Sequence, residues 1–227
     1  MESYKIVVVG DDNAGRVEML QTYKERKYPE YIPIVFENQT TKHTVNNKTV
    51  TLDIWDVAGF SGYEALRTSF YINTSLVVLC FDIGSAQSFK SLFDKWVPEI
   101  LLSNRSMPFI LVGTHGEKRL NKMDKLVDIN LIKDYAKRIN AVSYIECSAE
   151  ANQNISTIFD TALNYLTKPH AQRQIITTIT EEDEEEKKHT ERCTICIKEN
   201  EHANFFILIT VLYICYAAGM IFWHFTK

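Results

Sequence analysis

The stretch KIVVVGDDNAGRV, residues 5–17, decides the fold. Its first five residues, Lys5–Val9, form a mostly apolar run that predicts a short buried strand, and the stretch Val17–Arg26 predicts a helix. Gly10 and Gly15 lie between them with the spacing of a phosphate-binding loop, G-x-x-x-x-G-K-[ST]. In that motif the glycines let backbone N–H groups surround a phosphate, the lysine neutralises it, and the hydroxyl binds magnesium.

Two positions of this loop depart from the motif. Arg16 stands at the lysine position and Val17 at the hydroxyl position. Arginine keeps the charge, but its planar fork is bulkier than an ammonium group, and valine offers no oxygen ligand to a metal. The residues predicted to line the phosphate site are Gly10, Asp11, Asp12, Asn13, Ala14, Gly15, Arg16 and Val17.

Strands and helices alternate over the rest of the first 167 residues, in the order β-α-β-β-α-β-α-β-α-β-α. Further strands are predicted at Thr40–Val45, Thr49–Trp55, Leu76–Phe81, Pro108–Val112 and Ser143–Cys147, and further helices at Ala86–Leu102, Ile129–Ile139 and Asn152–Leu166. Asn46-Asn47 suits a hairpin turn. This alternation predicts an α/β fold with a six-stranded, mostly parallel sheet, covered by helices on both faces. Ligands of such sheets bind at the carboxyl ends of the strands.

Three further motifs follow predicted strands. Asp56-Val-Ala-Gly59 offers a carboxylate for the magnesium side and a glycine near a terminal phosphate. Thr114-His-Gly-Glu117 lies where a base-reading motif is expected, and Glu146-Cys-Ser-Ala149 follows the last strand. With the first loop, these make four pieces in order along one sheet edge, which is typical of a small GTPase of the phosphate-loop NTPase class.

Residues 4–167 resemble a Ras-superfamily domain, and several segments are similar to the Rho/Rac branch. These segments are Tyr31–Asn38 (YIPIVFEN), Trp55–Gly59 (WDVAG), Tyr63–Arg67 (YEALR), Lys95–Glu99 (KWVPE) and Ala141–Ala149 (AVSYIECSA). The resemblance implies GTP and GDP as ligands, with magnesium, and two switch loops that bind protein effectors and regulators. It also implies signalling towards actin at membranes.

The resemblance also assigns residues to these roles. The effector loop is Tyr31, Ile32, Pro33, Ile34, Val35, Phe36, Glu37 and Asn38. Besides the first loop, the nucleotide-binding positions are Asp56, Gly59, Thr114, His115, Glu117, Ser148 and Ala149, with Asp56 as the remaining metal-side residue.

Departures from the family pattern concentrate on the chemistry. Ile34 replaces the threonine that reaches magnesium and the terminal phosphate, and Phe60 replaces the glutamine that orients the attacking water. Asp12 replaces a glycine, so its carboxylate is expected to repel phosphate. His115 replaces a lysine beside the base, and Glu117 replaces an aspartate and is one methylene longer. These changes predict impaired magnesium binding and weak or absent GTP hydrolysis.

Three functions remain open at this point. One is a membrane-tethered Rho-like signalling protein with little hydrolysis, the second is an active GTPase that tolerates the substitutions, and the third is a nucleotide-free interaction module. The net charge of −4, from 25 Lys+Arg and 29 Asp+Glu, gives no basic excess and excludes nucleic acid as an expected partner.

The C-terminal part of the sequence predicts a membrane anchor. Residues 205–223 (FFILITVLYICYAAGMIFW) carry no charge, and as a helix they would span about 28 Å, close to the thickness of a bilayer core. A buried core helix is the alternative. Only four residues follow this span in the sequence, so we expect it to be a tail anchor. Lysines and arginines precede it, so we expect the N-terminal domain, residues 1–167, to face the cytosol. Residues 168–204 contain six consecutive acids, 181–186, and predict a solvated, disordered linker.

Overall fold

The computed structural model describes residues 2–33, 38–45, 47–57, 59, 64–120 and 125–168. The strands of this part are β1 Glu2–Val9, β2 Gln39–Val45, β3 Lys48–Asp56, β4 Leu76–Asp82, β5 Phe109–Thr114 and β6 Ser143–Glu146. The helices are α1 Arg16–Glu25, α2 Glu64–Phe70, α3 Ala86–Ser91, α4 Val97–Ser103, α5 Ile129–Arg138 and α6 Ile155–Leu166. A π-helical turn, Leu92–Trp96, joins α3 to α4, and a 3₁₀ turn, Gly116–Leu120, follows β5.

The strands form one six-stranded sheet in the order β2-β3-β1-β4-β5-β6. The β2–β3 pair is antiparallel and the other neighbours are parallel, which confirms the predicted mostly parallel sheet with one antiparallel edge strand. Val8 is opposite Asp56, and Asp82 is opposite Thr114. The carboxyl ends of β1, β3, β4 and β5 therefore meet at one edge, where the predicted motifs come together.

Two apolar clusters fill the two faces of the sheet, as the predicted double cover requires. On one face Met19 of α1 and Phe159 of α6 pack against inward residues of β1 and β3. On the other face Leu92, Trp96 and Ile132 pack against β4 and β5. The apolar run of β4 is fully buried, which explains why its sequence is continuous rather than alternating.

The predicted helix Ala86–Leu102 is the clearest correction, because the structure divides it. The helical segment widens into the π turn Leu92–Trp96, where Val97 N–H donates to Leu92 C=O, before α4 begins. Pro98 explains the widening, since it has no N–H to donate to the carbonyl of residue 94 and its ring crowds that carbonyl. Lys95 and Trp96 lie in this turn, and both contact the site described below.

Two further predicted element boundaries differ from those in the structure. The predicted helix Asn152–Leu166 begins only at Ile155, because Asn152 and Asn154 adopt left-handed backbone angles of φ 50° and 59°. Strand β6 ends at Glu146, one residue before the predicted end at Cys147. No helix in the described part of the chain is long and apolar enough to cross a membrane. The predicted span 205–223 and nearly all of the predicted linker 168–204 lie outside the described residues.

Candidate functional site

The loop after β1 has the backbone of a phosphate cradle. Gly10 has a φ of 152°, and a Cβ there would come within 2.4 Å of the carbonyl oxygen of Cys80. Gly15 has a φ of 63° and caps α1, so both glycines of the predicted motif are required by the backbone. The N-terminus of α1 follows directly, which is the usual position of a bound anion.

The guanidinium of Arg16 already has partners inside the chain. Its side chain is only 3% exposed, its Nε lies 3.2 Å from Asp56 Oδ1, and its Nη1 donates to the carbonyl oxygen of Gly10 at 2.5 Å. The Asp56 side chain is equally enclosed, at 4% exposure. The cation expected for phosphate and the carboxylate expected for magnesium therefore bind each other.

Burial and charge act in opposite directions on Asp56. Desolvation raises the pKa of its carboxyl group, Arg16 lowers that pKa, and the nearby carboxylates of Asp12 and Glu18 raise it again. Desolvation has the largest effect, so the pKa of Asp56 is raised overall. Burial therefore destabilises the ionised carboxylate, which depends on Arg16 as its counterion. A metal ion would have to compete with that guanidinium.

Gly59, the glycine predicted to contact a terminal phosphate, is held on both sides of its backbone. Its N–H donates to Asp12 Oδ1 at 3.1 Å, and its carbonyl accepts from Lys95 Nζ at 2.6 Å. The neighbouring Trp96 donates its indole N–H to Asp11 Oδ1 at 2.9 Å. The π turn thus connects the phosphate loop to the segment after β3.

Helix α2 is tied to α4 by an ion pair that the sequence analysis did not assign. Arg67 Nη2 lies 2.7 Å from Glu99 Oε2, and the Tyr71 hydroxyl donates to Glu99 Oε1 at 2.7 Å. Burial opposes ionisation of Glu99, but the hydrogen bonds from Arg67 and Tyr71 lower its pKa overall. Arg67 also lies over the Trp96 ring, 5.3 Å from its centroid. Opposite charges in the YEALR and KWVPE segments were the only sequence signal for this pair.

The base side is built from the residues that follow β5. Thr114 ends the strand, and His115 adopts a left-handed φ of 58°. His115 Nδ1 lies 3.4 Å from Asp82 Oδ1 and 3.2 Å from Thr114 Oγ1, while Lys118 Nζ lies 2.8 Å from Asp82 Oδ2. The hydrogen bond with Asp82 raises the pKa of His115 against the effect of burial. Burial alone would raise the pKa of Asp82, but hydrogen bonds from His115 and Lys118 hold it well below its usual range.

A cavity of about 90 Å³ opens beside these residues, between the start of α1 and the loop after β6. Its lining includes Gly15, Tyr28, His115, Glu117 and Ala149. One carboxylate oxygen of Glu117, Oε2, is buried and has no hydrogen-bond partner among the described residues. Buried acceptors are normally satisfied, so this atom marks a place where a ligand's N–H donor fits.

The two halves of the site therefore fit a guanine nucleotide differently. The base side has a buried, unpaired acceptor on Glu117, a residue that lines the cavity, and an acceptor there suits the N–H groups along one edge of guanine. On the phosphate side Arg16, Asp56 and the Gly59 N–H already have partners in the chain, so a magnesium-bound triphosphate would have to displace these contacts. Within the described residues, no three His, Cys, Asp or Glu side chains form a group that could hold a metal.

The structure brings most predicted site residues to the same edge of the sheet. Ser148 is buried, and its hydroxyl accepts from the Ala151 N–H at 3.0 Å. In the effector loop Tyr31 is 74% exposed, Ile32 and Pro33 are half-buried, and Asn38 is exposed. The remaining predicted positions Ile34, Val35, Phe36, Glu37 and Phe60 lie outside the described residues.

Comparisons with known proteins agree with the observed fold. The Ras family profile matches residues 5–168. The chain is 39% identical over 172 residues to the Rho-related protein racC of Entamoeba histolytica, covering 71% of this chain and 88% of that protein. It is 38% identical to the Ras-like GTP-binding protein RhoL of Drosophila melanogaster, covering 70% and 84% of the two chains. It is 36% identical to the human Rho-related GTP-binding protein RhoD, covering 71% and 82%.

Proposed function

The chain belongs to the Ras family and resembles its Rho-related members, and on that premise we propose that it is a membrane-anchored signalling protein with weak or no GTP hydrolysis. It binds protein effectors and regulators through its switch loops, which include the exposed Tyr31. GTP or GDP places its base beside Glu117, whose buried oxygen has no hydrogen-bond partner among the described residues. Its output is directed to the actin cytoskeleton or to membrane signalling.

The ion pair between Arg16 and Asp56 is the observation that carries this proposal. It takes the cation of the phosphate loop and the carboxylate of the magnesium side out of use at once. Val17 and Ile34 supply no oxygen to replace them, and magnesium needs oxygen ligands in near-octahedral geometry. Phe60 cannot orient water by a hydrogen bond. Since losing one electrostatic stabiliser typically slows an enzyme about 10²–10³-fold, the combined losses predict no useful turnover.

Multiple-turnover GTP hydrolysis by the full chain, purified in mild detergent, tests the proposal. We expect no phosphate release above the slow background of a GTPase without its activating protein. A variant that combines Asp12→Gly, Arg16→Lys, Val17→Thr, Ile34→Thr and Phe60→Gln restores the phosphate, magnesium and water-orienting residues of the motif and serves as the matched positive control. Magnesium-dependent turnover by the unaltered chain, blocked by a chelator, would contradict the proposal and favour an ordinary active GTPase.

A nucleotide-free interaction module is the second candidate. It is favoured by the contact of Asp12 with the Gly59 N–H, since that contact needs no ligand. Heat release and chromatography of whatever nucleotide co-purifies with the full chain separate the two candidates. One nucleotide per chain supports the first candidate, whereas none, with no GDP binding at millimolar concentration, supports the second.

Membrane anchoring through residues 205–223 is part of the proposal and rests on their charge-free sequence. Basic residues before the span, including Lys187, Lys188 and Arg192, favour a cytosolic N-terminal domain. We expect the full chain to resist extraction by alkaline carbonate, and we expect protease added from the cytosolic side to digest residues 1–167. Release by carbonate or by high salt would refute the anchor.

A further inference from the structure

We propose that the Asp12 carboxylate is a built-in substitute for the terminal phosphate of a nucleotide. It holds Gly59 in place without a ligand and makes the site discriminate against triphosphates. The discrimination between nucleotides rests on the proposed function above, whereas the contact with Gly59 does not.

The geometry around Gly59 directly supports the role of Asp12 in place of a terminal phosphate. The Asp12 carboxylate is an anion at the mouth of a loop whose backbone forms an anion cradle, and it accepts the Gly59 N–H at 3.1 Å. The approach is close, because a Cβ built on Gly59 would lie 2.9 Å from the same Asp12 oxygen. A terminal phosphate oxygen that reached this N–H would have to displace the carboxylate.

Lys95 completes the hold on Gly59 from the other side. Its ammonium group donates to the Gly59 carbonyl at 2.6 Å and lies 4.4 Å from the centroid of the Trp96 ring. Trp96 in turn is fully buried and donates to Asp11 in the phosphate loop. Both polar groups of Gly59 are therefore occupied by side chains from two different elements, and each hydrogen bond involves a charged group. Such bonds are about twice as strong as neutral ones.

Charge at the site also opposes an incoming phosphate. The side chains around the loop include the carboxylates of Asp11, Asp12 and Asp56 and the cations Arg16 and Lys95. Among these five described side chains three are acids and two are bases, and both cations already donate to acceptors in the chain. A diphosphate does not need the Gly59 N–H, but a triphosphate brings added negative charge to the position that Asp12 occupies. The arrangement therefore disfavours the triphosphate specifically.

Hydrogen exchange at the Gly59 amide tests the contact in the nucleotide-free full chain. Asp12→Ala removes the acceptor, and we expect the Gly59 amide to exchange about 10- to 100-fold faster. Asp12→Asn keeps an oxygen acceptor without the charge, so it should lose less protection than Asp12→Ala. Asp134→Asn, which removes one negative charge at an exposed position of α5, is the matched control and should leave this amide unchanged. Unaltered exchange in both Asp12 variants would overturn the proposal.

Calorimetric titration with GDP and with a non-hydrolysable GTP analogue tests the discrimination. Both Asp12→Ala and Asp12→Asn should raise the affinity for the triphosphate relative to the diphosphate by about tenfold or more, because both remove the charge. The thermal transition, followed by circular dichroism, checks that each variant is folded. An unchanged ratio in folded variants would overturn the discrimination, and so would a triphosphate that still fails to bind.

The outcomes separate this inference from the proposed function. Magnesium-dependent turnover by the unaltered chain contradicts the proposed function, whatever Gly59 does. Unchanged exchange at Gly59 in the Asp12 variants contradicts the inference, even if the chain hydrolyses nothing.

Discussion

The two halves of the candidate site lie on one sheet edge but treat their charged groups in opposite ways. On the phosphate side Asp12, Arg16 and Asp56 all have partners inside the chain. On the base side one oxygen of Glu117 is buried beside a cavity without a partner. An unpaired buried acceptor costs stability unless a ligand satisfies it, whereas a paired group must be competed for. The base side is thus arranged as an open site and the phosphate side as a closed one.

The two sides differ because their charged side chains contact different partners. On the phosphate side the long Arg16 side chain contacts Asp56, and the Asp12 side chain contacts the Gly59 N–H. On the base side the two cations next to Glu117 are taken by other carboxylates. Lys118 pairs with Asp82, and Arg119 pairs with Glu146 at 2.6 Å. Glu117 forms no salt bridge in the described part of the chain, although its charge raises the pKa of His115.

Breaking the closed side at Arg16 should give the largest effect. Arg16→Ala leaves Asp56 buried without its counterion, and removal of one member of a buried pair typically costs about 3–5 kcal/mol. Without Arg16 the pKa of Asp56 rises further above its unfolded value, so protonation in the folded state relieves part of the loss. Stability is then lost as pH rises through the folded pKa. Urea unfolding should therefore show a larger deficit at pH 7 than at pH 5.

A matched control for this variant is Lys90→Ala. Lys90 pairs with Asp94 at 3.9 Å on the surface, with both side chains more than half exposed. Exposed pairs contribute about 0–1 kcal/mol, so this variant should change little at either pH. A deficit of Arg16→Ala that is the same at both pH values would mean that the guanidinium stabilises by packing, and that the closed side is not closed by charge.

The open side should respond in binding rather than in stability. Glu117→Ala removes the unpaired acceptor, so we expect GDP affinity to fall about 10- to 100-fold in calorimetric titration. The free energy of unfolding without nucleotide should stay the same or rise slightly, because an unsatisfied buried atom is lost. Glu150→Ala, which changes an exposed carboxylate at the rim of the same cavity, is the control and should bind like the unaltered chain. Equal GDP affinities of the unaltered chain, Glu117→Ala and Glu150→Ala would mean that Glu117 does not contact the ligand. The base side would then not be an open binding site.

Sequence reasoning recovered the six strands and their mostly parallel sheet, because buried strands such as β4 are apolar along their whole length. It also predicted loops after β1 and β5, and the left-handed backbone at Gly15 agrees with the glycine spacing of the first loop. It missed the π turn, because the apolar spacing of Ala86–Leu102 continues through Pro98 as though the helix were regular. The roles of Lys95 and Trp96 depend on that turn and were missed with it.

The partners of the charged residues on the phosphate side could not be predicted from the sequence either. From the sequence, Arg16 keeps the charge of the phosphate-loop lysine and Asp12 is expected to repel phosphate, as two separate departures from the motif. The structure instead gives each an internal partner, across 40 residues for Arg16–Asp56 and 47 for Asp12–Gly59. Contacts between distant segments depend on how the strands are ordered in the sheet. Sequence patterns alone therefore do not reveal which of these side chains are in contact.

The smallest effect is expected from the histidine on the base side, and it is a change of pH dependence. The hydrogen bond with Asp82 raises the pKa of His115, with Lys118 lowering it and Glu117 raising it. A raised folded pKa contributes stability below the unfolded value of about 6.5, and this contribution disappears as pH rises through the folded value. His115→Asn, which suits the left-handed backbone, should therefore lose well under 1 kcal/mol more at pH 5.5 than at pH 8.5.

His43 in β2 provides a control of opposite sign, because burial lowers its pKa. Its folded state loses stability as pH falls, so His43→Asn should gain relative to the unaltered chain on acidification. Urea unfolding of both variants between pH 5.5 and 8.5 gives the two slopes, and any effect of asparagine on local structure shifts a whole curve without changing its slope. Opposite slopes would show that the charge of His115 is held by Asp82 on the base side. Parallel slopes would mean that this pair is not formed in solution, and the base side would then lack the ion pair that positions its loop beside the cavity.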